Sequence, residues 1–535
     1  MKNKLSLIIS LICILKFFSS TFPVFGQDKY WVFYKDKKGV TFDPYAYFDA
    51  KAIERRINNK ITLYDSTDFP LNDKYVKATM LYADSLSQVS RWFNASAVYI
   101  KASEIDNITK LPFVSSVEPI ATYSELAQYE NDDKAPAKID EKLLQEQIQR
   151  MKGDYFIKNN INGKGIRIAV FDAGFPNVDK HPAFEHIRAA KRILKTWDFV
   201  KNREFVYAFS SHGAMTLSCI AGKYNDKPIG LATEAEFLLA RTEMSNREPF
   251  SEEENWLAAA EWADKNGANI ISSSLGYTNK RYFQKDMNGK TALVSRAANM
   301  AASKGMLVVN AAGNEGTSAW KFMGAPADAD SVLSVGGYDP ETNYKINFSS
   351  FGPTADKRLK PNVCAFGTAF VADKESFTTA SGTSFSCPLI AGFAACAWQT
   401  NRNLKNMALY KEIEKSADLY PYFDYAHGYG VPQADYFTEK NQNKTLKETF
   451  AFEPKEKTLD VVVKNDTGEA TGIYDAKDQK EKLLFYNIQN EDGTLQKYYV
   501  ISVHSDKPVT IDLNTIKKGQ KINVSYKGYQ NTYQN

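Results

Sequence analysis

The sequence predicts an α/β protein whose core is a doubly wound, mostly parallel sheet with helices on both faces. A small N-terminal α+β unit precedes it, and an antiparallel β-sandwich follows. Three observations lead there. Apolar runs of strand length (Ile166–Phe171, Ala235–Arg241, Ala268–Ser274, Met306–Ala311 and Val332–Gly336) are continuous, as in a sheet buried on both faces. Longer segments of helical pattern (Glu253–Asn266, Leu293–Lys304 and Phe385–Thr400) alternate with them, which implies right-handed crossovers. After Phe437 the pattern changes to short strands, Thr458–Val463, Lys482–Tyr486, Tyr498–Val503, Pro508–Ile511 and Lys521–Tyr526, separated by turns such as Asn490-Glu-Asp-Gly493.

Length and composition agree. A chain of 535 residues exceeds one ordinary core, so about two to four domains are expected. Hydrophobic content of 43% and charged content of 24% are those of a globular protein. A net charge of +4 with both signs interspersed points to no nucleic-acid partner.

In chain order, residues 1–26 read as a secretory signal peptide. Met1-Lys-Asn-Lys4 is basic, Leu5–Phe22 is apolar but interrupted by Lys16, and Val24-Phe-Gly26 offers small residues for cleavage. The run is a poor membrane span, and no other segment could cross a bilayer. Cys13 follows Ile12, where lipidation signals carry a small residue, so no lipid anchor is expected. The chain is therefore expected to be exported: secreted, periplasmic or at the cell surface, with no transmembrane anchor once the signal is removed.

Residues 27–121 form the α+β unit: strand Tyr30–Tyr34, helix Ala50–Arg56, a second helix over Tyr75–Gln88, strand Ala95–Ile100, helix Glu104–Leu111 and extended Ser116–Ile120. Residues 122–142 are polar and carry Pro136, which reads as a linker. A core domain spans 143–440, beginning with helix Leu143–Ile157 and including helix Leu404–Ala417. The sandwich spans 444–535. Cys219, Cys364, Cys387 and Cys396 have apolar flanks and no metal-ligand spacing. Buried free thiols are the preferred reading, and the sequence alone leaves a disulfide open.

Three stretches carry the chemistry. Thr379-Ala-Ser-Gly-Thr-Ser-Phe-Ser-Cys-Pro-Leu-Ile-Ala-Gly392 opens a buried helix. Pro388 is tolerable only close to a helix start, which puts Ser384 beside free N–H groups and the positive end of a helix dipole. Gly165–Gly174 is a buried strand ending at Asp172, at the sheet edge where α/β proteins place ligands. His212–Gly222 opens a small-residue helix with a histidine, and only five histidines occur in the chain. Alone, Ser384 is a helix cap, Asp172 a turn cap and His212 a core histidine. Together, Asp…His…Ser is one of the known chain orders of the serine triad.

At these residues the chain resembles the subtilisin-like serine peptidases, the subtilases. The matching motifs are Asp172-Ala-Gly, His212-Gly-Ala and Gly382-Thr-Ser384-Phe-Ser-Cys-Pro388. Ser272-Ser-Ser-Leu-Gly276, Asn310-Ala-Ala-Gly-Asn314, Phe348–Pro353, Lys360-Pro-Asn362 and His427–Pro432 match further landmarks, and the likeness covers about residues 153–437. Ala173 and Ala214 depart from it, since the family usually has Ser or Thr there.

The resemblance implies a secreted serine endopeptidase acting through an acyl-enzyme. Ser384 would be the nucleophile, His212 the base, Asp172 its orienting group and Asn314 an oxyanion donor. Ser274, Leu275 and Gly276 would pair with an extended substrate. It also implies protein or peptide substrates, and that residues 27–121 are an inhibitory propeptide released by cleavage between about 123 and 142. The chemistry needs no metal or cofactor. Structural calcium is common in the family, but no acidic loop here identifies a site. The rival readings are a catalytically silent, peptide-binding subtilase scaffold and a structural surface protein. An esterase fits poorly, because the Gly-x-Ser-x-Gly elbow is missing.

Overall fold

The computed structural model describes residues 28–120, 140–244, 251–279, 281–439, 447–464, 483–503 and 507–534. The expected signal peptide and residues 122–139 of the expected linker lie outside them. Seven parallel strands form the central sheet. Their order is Val363–Phe366, Val332–Tyr338, Leu307–Ala311, Ile270–Ser273, Arg167–Asp172, Glu236–Arg241 and Ile193–Asp198.

The strand Arg167–Asp172 shows why an unbroken apolar run is needed. Successive side chains point to opposite faces, so Ile168 and Val170 enter one core while Ala169 and Phe171 enter the other. Helices His212–Ala221 and Thr383–Thr400 fill the first core, and Ser251–Lys265 and Leu293–Ser303 fill the second. Trp256 packs edge-on against Phe171 with centroids 5.5 Å apart, and its Nε1–H donates to Ser273 Oγ at 3.0 Å.

The register sets Phe171 beside Ser273, Ser273 beside Asn310, and Asp172 beside Arg241. Asp172, Ser274 and Asn314 therefore emerge together at the carboxyl edge. Helix Thr383–Thr400 lies behind that edge and is buried almost all round. Phe385, Leu389, Ile390, Phe393 and Trp398 are all inside, each contributing about 1.5–3 kcal/mol by burial.

Elsewhere local pattern and structure diverge. The expected helix over Tyr75–Gln88 divides into helix Asp73–Thr79 and strand Ser85–Ser90. That mostly exposed strand is fixed by pairing with Ala95–Ile100, which local periodicity does not report. The expected helix Leu143–Ile157 is two, Glu141–Gln149 and Asp154–Lys158. Lys152 turns left-handed between them (φ 50°), and a Cβ on Gly153 would sit 2.7 Å from Ile148 Cγ2.

Strands Ile193–Asp198 and Val363–Phe366 and the hairpin Thr368–Asp373/Ser376–Ser381 are not predicted by pattern. The first is a half-exposed edge strand, the second has four residues, and the outer hairpin strand is polar and half exposed.

The N-terminal unit is a four-stranded antiparallel sheet in the order Ser85–Ser90, Ala95–Ile100, Asp28–Tyr34, Val114–Ile120. One face holds its own core around Val32, Val98 and Ile100. The other delivers Trp31, Trp92, Ala95 and Ala97 into the core built on Ser251–Lys265 and Leu293–Ser303.

At the C-terminus, a three-stranded and a four-stranded antiparallel sheet share one core. They include two strands that sequence pattern does not predict, Phe450–Pro454 and Tyr529–Gln534. These sheets dock on the stretch 419–429. Asn487 Nδ2 donates to the Phe423 carbonyl at 2.6 Å, and Phe485 packs with Leu419 and Tyr422. Cys219, Cys364, Cys387 and Cys396 are buried free thiols. Among the described residues no helix is long and apolar enough to cross a membrane.

The two helices of the first core approach so closely at Gly392 that a Cβ there would meet the Ile220 carbonyl at 2.8 Å. Gly392→Ala should destabilise the chain by about 1–3 kcal/mol, the usual result of overpacking. Thermal unfolding should show the midpoint of Gly392→Ala lowered by several degrees against the parent chain.

Candidate active site

The carboxylate of Asp172 is fully buried at the end of its strand. Its Oδ1 accepts the Ala173 N–H at 2.8 Å and lies 2.8 Å from His212 Nδ1, while its Oδ2 accepts the Thr216 hydroxyl at 3.0 Å. An ionised carboxylate only accepts, so His212 Nδ1 carries the proton and Nε2 is left as the basic nitrogen. Burial disfavours the imidazolium, but the Asp172 charge and hydrogen bond outweigh it and raise the His212 pKa above its usual 6.5. Gly213 lets the two elements meet, because a Cβ there would sit 2.1 Å from the Gly174 carbonyl and 3.0 Å from Asp172 Cβ.

This environment accounts for the departures at 173 and 214. The backbone N–H of Ala173 and the hydroxyl of Thr216 supply donors to Asp172 without a hydroxyl at either alanine. Sequence reading missed Thr216. Its signal was its spacing, four residues after His212 and on the same helix face.

Ser384 is the second residue of its helix, and the ring of Phe385 lies 5.7 Å from the His212 ring. Pro388 is four residues further on. In a helix its N–H would have taken the Ser384 carbonyl, and proline has none. That carbonyl instead accepts the Ser274 hydroxyl at 2.9 Å, and Ser384 Oγ donates to the Ser274 carbonyl at 3.2 Å. A reciprocal pair thus ties the helix start to the end of strand Ile270–Ser273.

Asn314 is exposed on the adjoining loop. Its Oδ1 accepts both the N–H and the hydroxyl of Thr383, at 2.9 and 3.0 Å, and Thr383 Oγ1 also accepts the Gly313 N–H at 3.1 Å. With Oδ1 held, the Nδ2 donor is turned towards Gly382, 3.5 Å from where a Cβ would be. Thr383 is the other residue sequence reading missed, since its role depends on a partner 69 positions away.

Of the expected substrate-pairing residues, Ser274 and Leu275 are buried and Gly276 is exposed. The Leu275 carbonyl is already taken by Asn310 Nδ2 at 3.0 Å, while nothing lies closer than 3.9 Å to the Cβ position of Gly276. The open backbone is therefore that of Gly276. Among the described residues no group of three or more His, Cys, Asp or Glu could hold a metal ion.

His212 should titrate above 6.5 in the Ser384→Ala chain by NMR of its imidazole, and Asp172→Asn should move that titration to lower pH. Because the folded value is raised, the Asp172 interaction adds stability fully present below the unfolded value of about 6.5. It is lost as pH rises through the folded value.

Comparison with known proteins fits this architecture. Residues 163–439 match the Subtilase family, and residues 29–136 match the Peptidase S8 propeptide domain of Bacteroidota. Thermitase of Thermoactinomyces vulgaris is 31% identical over 261 residues, 48% of this chain and 82% of that protein. Subtilisin BL of Lederbergia lenta is 27% identical over 272 residues, 50% of this chain and 90% of that protein. Subtilisin DY of Bacillus licheniformis is 27% identical over 249 residues, 46% and 82% respectively. The chain belongs to the subtilase family of serine peptidases and carries that family's propeptide domain.

Proposed function

We propose that this subtilase is an exported endopeptidase that cuts peptide bonds through Asp172, His212 and Ser384. The observation that carries the reading is the 2.8 Å contact of His212 Nδ1 with the buried Asp172 carboxylate, at the sheet edge where the Ser384 helix begins. Once the Ser384 hydroxyl turns from the Ser274 carbonyl, His212 Nε2 takes its proton as Oγ attacks the scissile carbonyl carbon. The oxyanion receives the Asn314 Nδ2 donor and the Ser384 N–H. The C–N bond then breaks, the amine leaves with the proton from His212, and water hydrolyses the acyl-enzyme by the same proton path. The exposed backbone at Gly276 pairs with an extended peptide as an added strand.

Residues 27–121 act as inhibitor until the chain is cut between about 123 and 142, in the reading supported by the propeptide match. Export by residues 1–26 would take the protein to the periplasm, the cell surface or the medium.

Hydrolysis of a denatured protein by the matured chain tests the reading. Ser384→Ala should abolish it. Asn314→Ala should lower kcat by about 10²–10³ with KM little changed, a magnitude carried over from a subtilisin. A matured chain that binds peptides tightly without cutting them would favour the silent scaffold instead. N-terminal sequencing that found Gln27 on fully active enzyme would refute the maturation step.

A further inference from the structure

The N-terminal unit touches the catalytic domain in two places. One is its sheet, against helices Ser251–Lys265 and Leu293–Ser303. The other is the excursion of residues 42–79 between its first two strands, and this runs to the opposite edge of the catalytic sheet. Helix Ala50–Asn59 and its N-cap Asp49 lie against Arg167, Glu236, Gly267, Ala268, Lys304 and Gly305, residues that open four of the parallel strands or stand within three positions of their starts. Six-residue strands separate this amino edge from the Asp172 edge by roughly 20 Å.

The contact is built from charges withdrawn from water. Arg55 Nε donates to the Lys304 carbonyl at 3.1 Å, and its guanidinium also engages the Ala268 carbonyl and the Asp264 carboxylate. Arg56 forks between Asp68 of its own unit, at 2.9 Å, and Asp264 of the catalytic domain, at 2.6 Å. Lys304 of the catalytic domain reaches back to Asp65 at 2.8 Å and Asp68 at 3.1 Å. Arg55, Arg56, Asp68, Asp264 and Lys304 are each no more than 2% exposed.

Around this centre Lys51 pairs with Glu236 at 2.9 Å, and Arg167 with Asp49 at 3.1 Å. Backbones also meet closely, since a Cβ on Gly267 would lie 3.0 Å from the Ala52 nitrogen. Each side supplies the counter-ions the other has buried, so separating them leaves Asp264 and Lys304 without their partners.

The geometry points to residues 42–79 as a distal clasp that keeps the severed propeptide bound to the mature enzyme, on a surface of the catalytic domain whose ligand is a paired-arginine helix. This rests on the maturation reading given above. The clasp lies at the amino edge, away from the Asp172 edge, so cutting the linker leaves it in place. Loss of the Arg55–Arg56–Asp264–Lys304 cluster then speeds release, because it leaves only the sheet contact on helices Ser251–Lys265 and Leu293–Ser303 to hold the fragment.

The test uses the full chain with Ser384→Ala, which cannot cut itself, and a recognition sequence for a site-specific protease placed within residues 130–136. After the cut, the N-terminal fragment should co-elute with the remainder in size-exclusion chromatography. Arg55→Ala with Arg56→Ala should shorten its dissociation half-time at least tenfold. Arg55→Lys with Arg56→Lys should fall between, because charge is kept but the fork between two carboxylates is lost.

A parent fragment that leaves at once would overturn the clasp. So would a half-time within twofold of the parent in the alanine pair, given parent-like circular dichroism before the cut. If the alanine pair does not fold, the lysine pair decides, and release as slow as the parent overturns the proposal. The readout is independent of catalysis. Failure of the maturation reading would show separately, in terminal sequencing of the wild-type chain.

Discussion

A missing N–H organises the catalytic edge of this protein. Because Pro388 cannot donate to the Ser384 carbonyl, that carbonyl is free to hold Ser274, whose own carbonyl receives the Ser384 hydroxyl. The bond fixes the start of a buried helix to the end of a buried strand. Once Ser384 is pinned, its neighbours fall into place: Thr383 locks the Asn314 amide, and Phe385 flanks the His212 ring. An unmet helical hydrogen bond would ordinarily be a cost of burial. Here it is satisfied by Ser274, at the end of strand Ile270–Ser273.

The parallel sheet then divides labour between its two edges. All carboxyl ends point one way, so Asp172, Ser274 and Asn314 converge, and the buried Asp172 charge is met by three donors from three residues. The amino ends point the other way, and four of them meet the N-terminal unit, which is held there by a cluster of buried charges. The His212 imidazole therefore sits at one edge, beside the Asp172 carboxylate. The buried ionic contact lies at the other, about one strand length away.

Much of the site was legible because its residues punctuate elements. Asp172 ends an apolar run, His212 opens a helix beside a glycine it needs, and Ser384 stands four residues before a proline. The strands buried on both faces were legible for the same reason, and Ala95–Ile100 and Thr458–Val463 have the bounds their patterns predict. Thr216 and Thr383 were not legible as site residues, since a threonine in a helix has no mark of the carboxylate or amide it holds. The edge strands Ile193–Asp198, Ser85–Ser90 and Tyr529–Gln534 are half exposed, so their identity comes from the partner strand. Arg55 and Arg56 carry no local mark of burial, and only the tertiary placement of Asp264 and Lys304 buries them.

The central claim is that His212, oriented by Asp172, makes Ser384 a nucleophile. Labelling of the matured protein with a fluorophosphonate, read by intact mass and peptide mapping, tests it most directly. The account predicts one adduct on Ser384 in the wild type, none in Ser384→Ala, and strongly slowed labelling in His212→Ala. A matured, folded wild type that takes no label, or one labelled equally fast without His212, would contradict it.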